Sequence, residues 1–529
     1  MGGYYLDLRQ YLAALEDQGL LRRVRRSINK DTELHPLVRL QFRGLPEEQR
    51  TAFLFENVTD SAGRGFDMPV VVACMAGSRA IYGLGMQCDP KDIGAKWDEA
   101  QRNRIAPVRV DSGPVQELVL TGDELRAAGG LMTLPIPIST PGFDNAPYMT
   151  AAHFVTRDPE TKLQNMGNYR AQLKSPTRLG IYAGTTQDIA VDWHKWRKLG
   201  QPMEVAIAIG VTPNLSYVAA TKLPHDVGEY EVAGGIAGEP VQLVRCKTVD
   251  LEVPAQAEIV VEGIVRTDVL EMEGPFGEFT GYMAQRDWNL FVEVQCITRR
   301  RQPVYQAFLS QFPPSESSKL RGVGKEAVLY KRLAVDHAIP GVLDVILQET
   351  AGSYGICVVR MDRSQGGDVR KALELIGCDP RLHSKMVIAV DPDIDPRDPD
   401  SVNWAISFCM QPHRDAWVVP VRPLDLDYSA APPNARRDVT AEANEGSSLL
   451  IDATRKWAYP PTSLPAKKYM ERAIDLWREE GLPELHLKSP WFGYELGHWS
   501  EEDRVQAERA TRGDYLLTGE EQSQQRRPA

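Results

Sequence analysis

No Cys-x-x-Cys pair occurs in this chain of 529 residues, and its seven cysteines (Cys74, Cys88, Cys246, Cys296, Cys357, Cys378, Cys409) stand singly and odd in number. That excludes a dense disulfide framework and favours reduced, mostly buried thiols in a cytoplasmic protein. No stretch approaches the uninterrupted apolar length of a membrane span, and Met1 to Gln10 lacks the apolar centre of a signal sequence. Positive charge is not in surplus either. Lys and Arg number 61 against 72 Asp and Glu, a formal net charge of -11, which argues against a general binder of nucleic acid. The basic clusters Arg22, Arg23, Arg25, Arg26 and Arg299, Arg300, Arg301 have no interleaved aromatics for base stacking and read as solvated strand ends. There is no internal repeat.

What is present is ordinary for a folded protein: 43% hydrophobic and 25% charged residues, with no room for extensive disorder. The length exceeds one hydrophobic core and suggests roughly three domains. Asp7 to Gln18 places Leu8, Tyr11, Leu12 and Leu15 on one helical face and stops at Gly19. With strand-like runs at Met68 to Ala73 and Pro107 to Val110, residues 1–117 read as an α/β domain. From Leu118 short β-rich runs dominate: Glu204 to Val211, Val241 to Cys246, Ala257 to Val265 and Phe291 to Thr298, separated by glycine and proline. This predicts a barrel-like β domain over 118–312. An α/β pattern returns over 313–460, with helices at Lys325 to Ala334 and Asp368 to Ile376 and strands at Gly341 to Leu347 and Met386 to Val390. Residues 461–529 add an amphipathic helix, Pro465 to Glu480, and a polar end, Gly519 to Ala529, expected to be disordered.

Two apparent motifs carry little. Gly322-Val323-Gly324-Lys325 looks like part of a phosphate loop, but Glu326 stands where a Ser or Thr would hold magnesium. The acidic loop Asp391-Pro392-Asp393-Ile394-Asp395 lacks the glycine and terminal glutamate of a calcium loop, so turn and capping duty is expected. Two other segments are richer. Asn165 to Gln172 packs amides, a glycine and Arg170 densely, giving oxygen ligands, close backbone approach and a fork for a carboxylate or phosphate; an incidental surface turn is the competing reading. Glu273 and Glu278 lie five apart across Gly274-Pro275, a turn that can aim both carboxylates into one cavity. There, repulsion raises one and lets it act as a general acid, while an exposed Gly/Pro/Glu turn is the alternative. Glu229, in Gly228-Glu229-Tyr230-Glu231, gains meaning only in combination with these.

Together, Asn165 and Arg170 in Asn-x-x-x-Tyr-Arg, Glu229 before Tyr230, Val253-Pro254-Ala255 with Glu258 and Glu262-Gly263, Glu273-Gly274-Pro275-x-Gly277-Glu278 before Thr280-Gly281-Tyr282, His383-Ser384-Lys385, and Asp452-Ala453-Thr454-x-Lys456-Trp457 resemble the UbiD family of reversible decarboxylases. The matches run in family order from about residue 120 to 460. The resemblance implies a multidomain α/β fold: an N-terminal α/β domain, a central split β-barrel that binds prenylated FMN, and a C-terminal α/β domain that supports a homodimer or homohexamer. It implies Arg170, Glu273 and Glu278 as the catalytic set, with Glu278 the proton donor. Asn165, Asn168, Tyr169, Arg170, Gln187, Asp188 and Lys385 then contact the cofactor, Lys385 at its phosphate. A divalent metal, Mn2+ or Mg2+, with K+ beside it, is implied on Asn165, Asp188 and Glu229. Asp188 stands where the family's familiar pattern has histidine, an oxygen ligand suited to either metal, with His194 as the alternative. The implied substrate is an aromatic, heteroaromatic or α,β-unsaturated acid, free or as a coenzyme A thioester, and a flavin prenyltransferase supplies the cofactor. A non-catalytic subunit of a multi-component carboxylase is the competing reading, and the intact trio speaks against it. A metal-dependent hydrolase has no use for the two-glutamate turn.

Overall fold

Leu8, Tyr11, Leu12 and Leu15 are all buried, and the helix they predict forms at Leu8–Asp17. Asp7 accepts the Gln10 N–H at its start and Gly19, at φ +69°, turns the chain away from its end. The structure is a computed structural model and describes residues 3–184, 187–224, 227–379, 382, 384–423, 426–430, 446–493 and 497–528.

The mixed α/β, multidomain architecture expected from the sequence is the one that forms, around three principal sheets. The first pairs Leu21–Asn29 with Ala52–Thr59, then Val70–Val72, then Tyr305–Ala307. Its last strand comes from far along the chain, where the sequence texture places the β-rich segment.

The second sheet has ten strands. Its path runs Tyr148–Met149, Ala171–Ser175, Arg178–Ile181, Asp287–Arg299, Ile259–Val265, Met203–Ile209, His153–Arg157 and Gln164–Asn168, antiparallel at every step. Phe154, Ile207, Val261 and Ile297 face one another across four neighbouring strands and all are buried. That row is the period-2 alternation of a half-buried strand repeated in register. The ladders do not close among the described residues, yet the chain twice joins the two ends of the path. Met149 is followed within four residues by His153, and Asn168 reaches Ala171 through Tyr169 and Arg170 alone. The sheet is therefore curled, with an open seam.

The third sheet orders Val342–Leu347, Ile356–Met361, Met386–Val390, Gly446–Ala453 and Ala416–Val421, parallel through its centre. Helix Glu316–Lys331, opened by a Ser315/Ser318 capping box, packs on strand Val342–Leu347 of this sheet and against helices Ile93–Arg102 and Pro213–Ala220. The phosphate-loop fragment falls inside that helix. Gly322 and Gly324 are there because a Cβ at either would collide with Ser353 or Thr221. The acidic loop is likewise structural: Asp393 pairs with Arg455 at 2.6 Å, Asp391 accepts the Arg455 N–H at 2.8 Å, and Asp398 caps helix Pro399–Phe408.

One expectation is overturned. Residues 519–524 of the polar end are helical, because Tyr515–Gln524 forms a helix that pairs with Glu501–Thr511 through Arg509 to Glu521 (2.7 Å) and Gln522 to Gln506 (3.0 Å). Neither helix buries a residue, so side-chain pairing rather than a hydrophobic core stands behind it. No helix among the described residues is long and apolar enough to cross a membrane.

Candidate active site

The seam gathers the residues that the sequence singles out. Asn165 and Asn168 lie on the end strand Gln164–Asn168, and Tyr169 and Arg170 bridge to the opposite end of the sheet. Asn168 Nδ2 donates to the Thr150 carbonyl at 3.1 Å and the Tyr169 N–H to Ala152 at 3.2 Å, which ties the crossing chain to the other junction. Tyr169 folds back beneath its own strand, and a Cβ at Gly167 would collide with its ring.

Arg170 is the hub of an ion triad. Its Nε and Nη2 donate to the two oxygens of Glu273 at 2.9 and 2.7 Å, and Nη1 donates to Glu278. Glu273 is fully buried and Arg170 nearly so. Burial alone would lower the guanidinium's affinity for its proton, but the charges of Glu273 and then Glu278 outweigh it, so Arg170 stays cationic far above its ordinary range. The guanidinium also sits 4.5 Å from the Tyr182 ring centroid and 5.1 Å from that of Phe276. The two glutamates thus meet on a shared cation rather than on each other.

The turn between them is braced by groups that sequence reasoning missed. Asn145 Nδ2 donates to the Gly274 carbonyl at 2.8 Å and is itself held by Gln172 at 2.7 Å, while Tyr148 donates to the Pro275 carbonyl at 3.3 Å. Gly274 adopts φ +94°, and Asp144 accepts the Gly277 N–H at 3.2 Å. Burial lifts Asp144 to about 6 against the N–H groups of Thr140 and Gly277. These braces lie in Asp144-Asn145-Ala146-Pro147-Tyr148, some 130 residues before the turn, with no local signal to link them to it.

Beside the triad, walled by Tyr182 and Phe279, lies a cavity of about 310 Å3, in the size range of small-molecule sites. Asn165, Asn168, Tyr169, Gln187, Asp188 and Glu229 all line it; Arg170, Glu273 and Glu278 stand just behind its wall. Asp188 and Glu229 are the first residues of helices Asp188–Lys198 and Glu229–Ala237, so two helix starts deliver carboxylates to one end of the cavity. His194, by contrast, is exposed on the first of these helices and does not reach the cavity. Burial pushes Glu229 up to about 7, the Met166 N–H opposing it and the charges of Asp188 and Asp192 adding to it. Lys222 Nζ stands 3.2 Å from both oxygens of Asp188.

This end fits a divalent cation. Two crowded carboxylates and an amide form a hard oxygen set, and an ammonium group already rests on one of them. Among the described residues no three His, Cys, Asp or Glu side chains converge, so it is the Asn165 amide, lining the same end, that would complete the set. A polar cofactor fits too, since Asn165 Nδ2 and Asn168 Oδ1 are buried beside the cavity without a hydrogen-bond partner.

Lys385 is placed elsewhere. It does not line the cavity, and its Nζ pairs with Asp427 at 3.0 Å and with Ser429. His383 lies outside the described residues, as do His225 and Asp226 ahead of Glu229. The cavity's basic lining comes instead from Lys222, Arg321, Lys325 and Arg422, none of which the sequence reading assigned to a site.

The chain matches family models for 3-octaprenyl-4-hydroxybenzoate carboxy-lyase in three consecutive parts: the N-terminal domain over residues 12–101, the Rift-related domain over 107–312 and the C-terminal domain over 319–453. A protein of Synechocystis sp. (strain ATCC 27184 / PCC 6803 / Kazusa), sll0936, is 31% identical over 93% of this chain and 99% of its own length. Among solved structures, an evolved dimeric form of the UbiD-class enzyme HmfF from Pelotomaculum thermopropionicum, in complex with prFMN, shares 30% identity at a TM-score of 0.71 over 85% of this chain and 95% of that one. Vanillic acid decarboxylase of Sedimentibacter hydroxybenzoicus in its closed form shares 27% at a TM-score of 0.75, over 90% of this chain and 100% of that one. With all three parts matched in order over residues 12–453 and the fold shared over 85% of the chain, the chain belongs to the UbiD family of carboxy-lyases.

Proposed function

We propose that this carboxy-lyase is a reversible, prenylated-FMN-dependent decarboxylase of an aromatic, heteroaromatic or α,β-unsaturated carboxylic acid, free or as a coenzyme A thioester. The observation that carries the reading is the Arg170, Glu273 and Glu278 triad set against the wall of a polar-ended cavity. When bound, the modified flavin supplies the electron sink that an sp2 carbon needs to release its carboxylate, and the protein supplies binding, orientation and electrostatics. Asn165, Asp188 and Glu229 would hold Mn2+ or Mg2+, with K+ as its companion ion, and Asn168, Tyr169 and Gln187, which line the same cavity, would contact the cofactor. Lys385 would contact the cofactor phosphate only by leaving its pair with Asp427.

Arg170 orients the substrate carboxylate through its fork, which Glu273 fixes from behind by two-point pairing. The bond between the sp2 carbon and the carboxylate carbon breaks, carbon dioxide leaves, and a proton from Glu278 takes its place. Running the same steps backwards carboxylates. Helix Lys467–Glu479 buries none of its residues within the chain, with Tyr469 and Leu476 both more than 40% exposed, which supports a homodimer or homohexamer.

The test is hydrogen exchange. Protein co-expressed with a flavin prenyltransferase is incubated with product in deuterated water and the ring or vinyl hydrogen is followed by NMR. Exchange is expected in the wild type and lost in Glu278→Gln. Exchange at the wild-type rate in the variant overturns the role of Glu278. Absence of turnover by the loaded single polypeptide across a panel of aromatic acids and thioesters points instead to a non-catalytic assembly subunit.

A further inference from the structure

Glu273 and Glu278 belong to different sheets. Glu273 ends strand Glu271–Glu273, which is laddered to Asp287–Arg299 of the ten-stranded sheet, whereas Glu278 follows Phe276–Gly277, which pairs with Met283–Ala284 in a ribbon of two strands. Glu278 opens the turn at the tip of that ribbon: its N–H donates to the Tyr282 carbonyl and its carbonyl accepts the Gly281 N–H, both at 3.0 Å. Among the described residues no ladder joins the ribbon to another sheet. Where Glu278 lies relative to Arg170 is therefore decided by the side chains that dock the ribbon. One short segment does most of this. Asn145 Nδ2 donates to the Gly274 carbonyl (2.8 Å), the Tyr148 hydroxyl donates to the Pro275 carbonyl (3.3 Å), and Asp144 accepts the Gly277 N–H (3.2 Å). The residue directly after Glu273 and the residue directly before Glu278 are both held.

The segment is in turn set by the strand that follows Arg170. Tyr148 is the direct cross-strand partner of Gln172, and Gln172 Nε2 donates to Asn145 Oδ1 at 2.7 Å. A closed circuit results, from Arg170 through Gln172, Asn145 and the Gly274 carbonyl to Glu273 and back to Arg170. Tyr148, fully buried, also sets its ring 4.5 Å from that of Phe276, which lies 5.1 Å from the Arg170 guanidinium. Beneath Gly277 there is no slack, since a Cβ there would come within 2.5 Å of Thr140 Oγ1. On its other strand the ribbon is met by Tyr428, whose hydroxyl donates to the Met283 carbonyl at 3.1 Å. We propose that Asn145 and Tyr148, with Asp144 beside them, are positioning residues for the proton transfer: they fix the turn so that Glu278 stays on the guanidinium that Glu273 holds from behind, aimed at the substrate carbon. None of the three lines the cavity, so they act through Glu278 and not on the substrate. The assignment rests on the decarboxylase reading above and adds to it the residues that aim the donor.

The experiment compares wild type, Asn145→Ala, Tyr148→Phe, Gln172→Ala and the double variant of Asn145→Ala with Gln172→Ala, each co-expressed with a flavin prenyltransferase. For an acid that the wild type turns over, KM and kcat are separated and the solvent deuterium isotope effect on kcat is read. Amide hydrogen exchange of peptides spanning Glu271 to Tyr282 is followed by mass spectrometry. Asn145 is exposed and Tyr148→Phe keeps the ring, so both variants are expected to fold, which a thermal melt checks. Asn145→Ala and Tyr148→Phe are expected to lower kcat by about 10- to 100-fold, the scale of a misplaced reacting group. KM is expected to hold, the isotope effect to grow, and amide exchange to quicken in the spanning peptides alone. Because Asn145 and Gln172 act through one circuit, the double variant is expected to lose no more than Asn145→Ala by itself. A wild-type kcat in either Asn145→Ala or Tyr148→Phe, whatever happens to KM, overturns the proposal and leaves the decarboxylase reading standing. A lowered kcat with an unchanged isotope effect and faster exchange throughout the protein also overturns it, because the role is then structural only. If the wild type turns over no acid, the decarboxylase reading fails by itself. Amide exchange then decides for the docking of the ribbon: faster exchange confined to the spanning peptides in Asn145→Ala supports it, and unchanged exchange overturns it.

Discussion

Arg170 carries two carboxylates on one guanidinium, and Glu273 has no access to solvent. Removing the cation leaves a buried anion unpaired, which costs far more than the pair itself contributes. Arg170→Met is therefore expected to destabilise the protein by about 3–5 kcal/mol, and adding Glu273→Gln to recover part of that loss; chemical denaturation of the three variants checks both. A second residue-scale prediction concerns pH. His35 and His153 are fully buried, each with Nδ1 on a backbone carbonyl and Nε2 without a partner. Burial lowers each to about 4 from an ordinary 6.5. Between pH 6.5 and 4 the unfolded chain takes up a proton that the folded one refuses, so stability falls as pH falls through that window, by about 1.4 kcal/mol per unit for each histidine. His153→Gln should make the stability curve shallower by that amount over the same window, in denaturant melts from pH 4 to 7.

At the scale of elements, helix Glu316–Lys331 is tied to two other segments by one side chain. Glu316, fully buried, accepts the N–H groups of Ala73 (2.8 Å), Met75 (3.0 Å) and Leu309 (3.3 Å). Glu316→Gln turns one acceptor into a donor facing donors and is expected to cost about 1–3 kcal/mol, read as a lowered midpoint in urea. The same helix shows where sequence reasoning stops. Its apolar and turn periodicities are local, which is why Leu8–Asp17 and Met386–Val390 are legible from spacing. Gly322 and Gly324 look like part of a phosphate loop, and the helix predicted from spacing opens only at Lys325; the reason for the two glycines is the side chains of Ser353 and Thr221, distant in sequence. With the helix predicted to start nine residues late, the one-turn spacing of Arg321 and Lys325 on it is missed. The Glu273 to Glu278 turn is legible as two carboxylates in one place, but its partner Arg170 and its brace Asn145 lie more than 100 residues away. Resemblance to a family, rather than any local pattern, joins them. In the same way, Lys385 next to a strand carries no sequence signal of its partner Asp427.

Across the whole molecule, a cation held at the carboxylate end of the cavity would couple its binding to folding. A metal that binds the native arrangement of Asn165, Asp188 and Glu229 and not the unfolded chain stabilises by about 2.7 kcal/mol at a hundred times its Kd. Adding Mn2+ or Mg2+ to chelator-treated protein is thus expected to raise Tm in a concentration-dependent way, and Glu229→Gln to abolish the rise; a calorimetric scan with and without chelator is the measurement. The open seam of the ten-stranded sheet has a further consequence, one of length. Asn165, at the carboxylate end of the cavity, and Arg170, in the ion triad, are five residues apart on one nearly extended stretch that crosses the gap between the sheet's two margins. The backbone there is a ruler of at most roughly 18 Å. Whatever bridges the two ends can be no longer than that, whichever residues line the space between, so the reach of the ligand is written into the count of residues rather than into any one side chain.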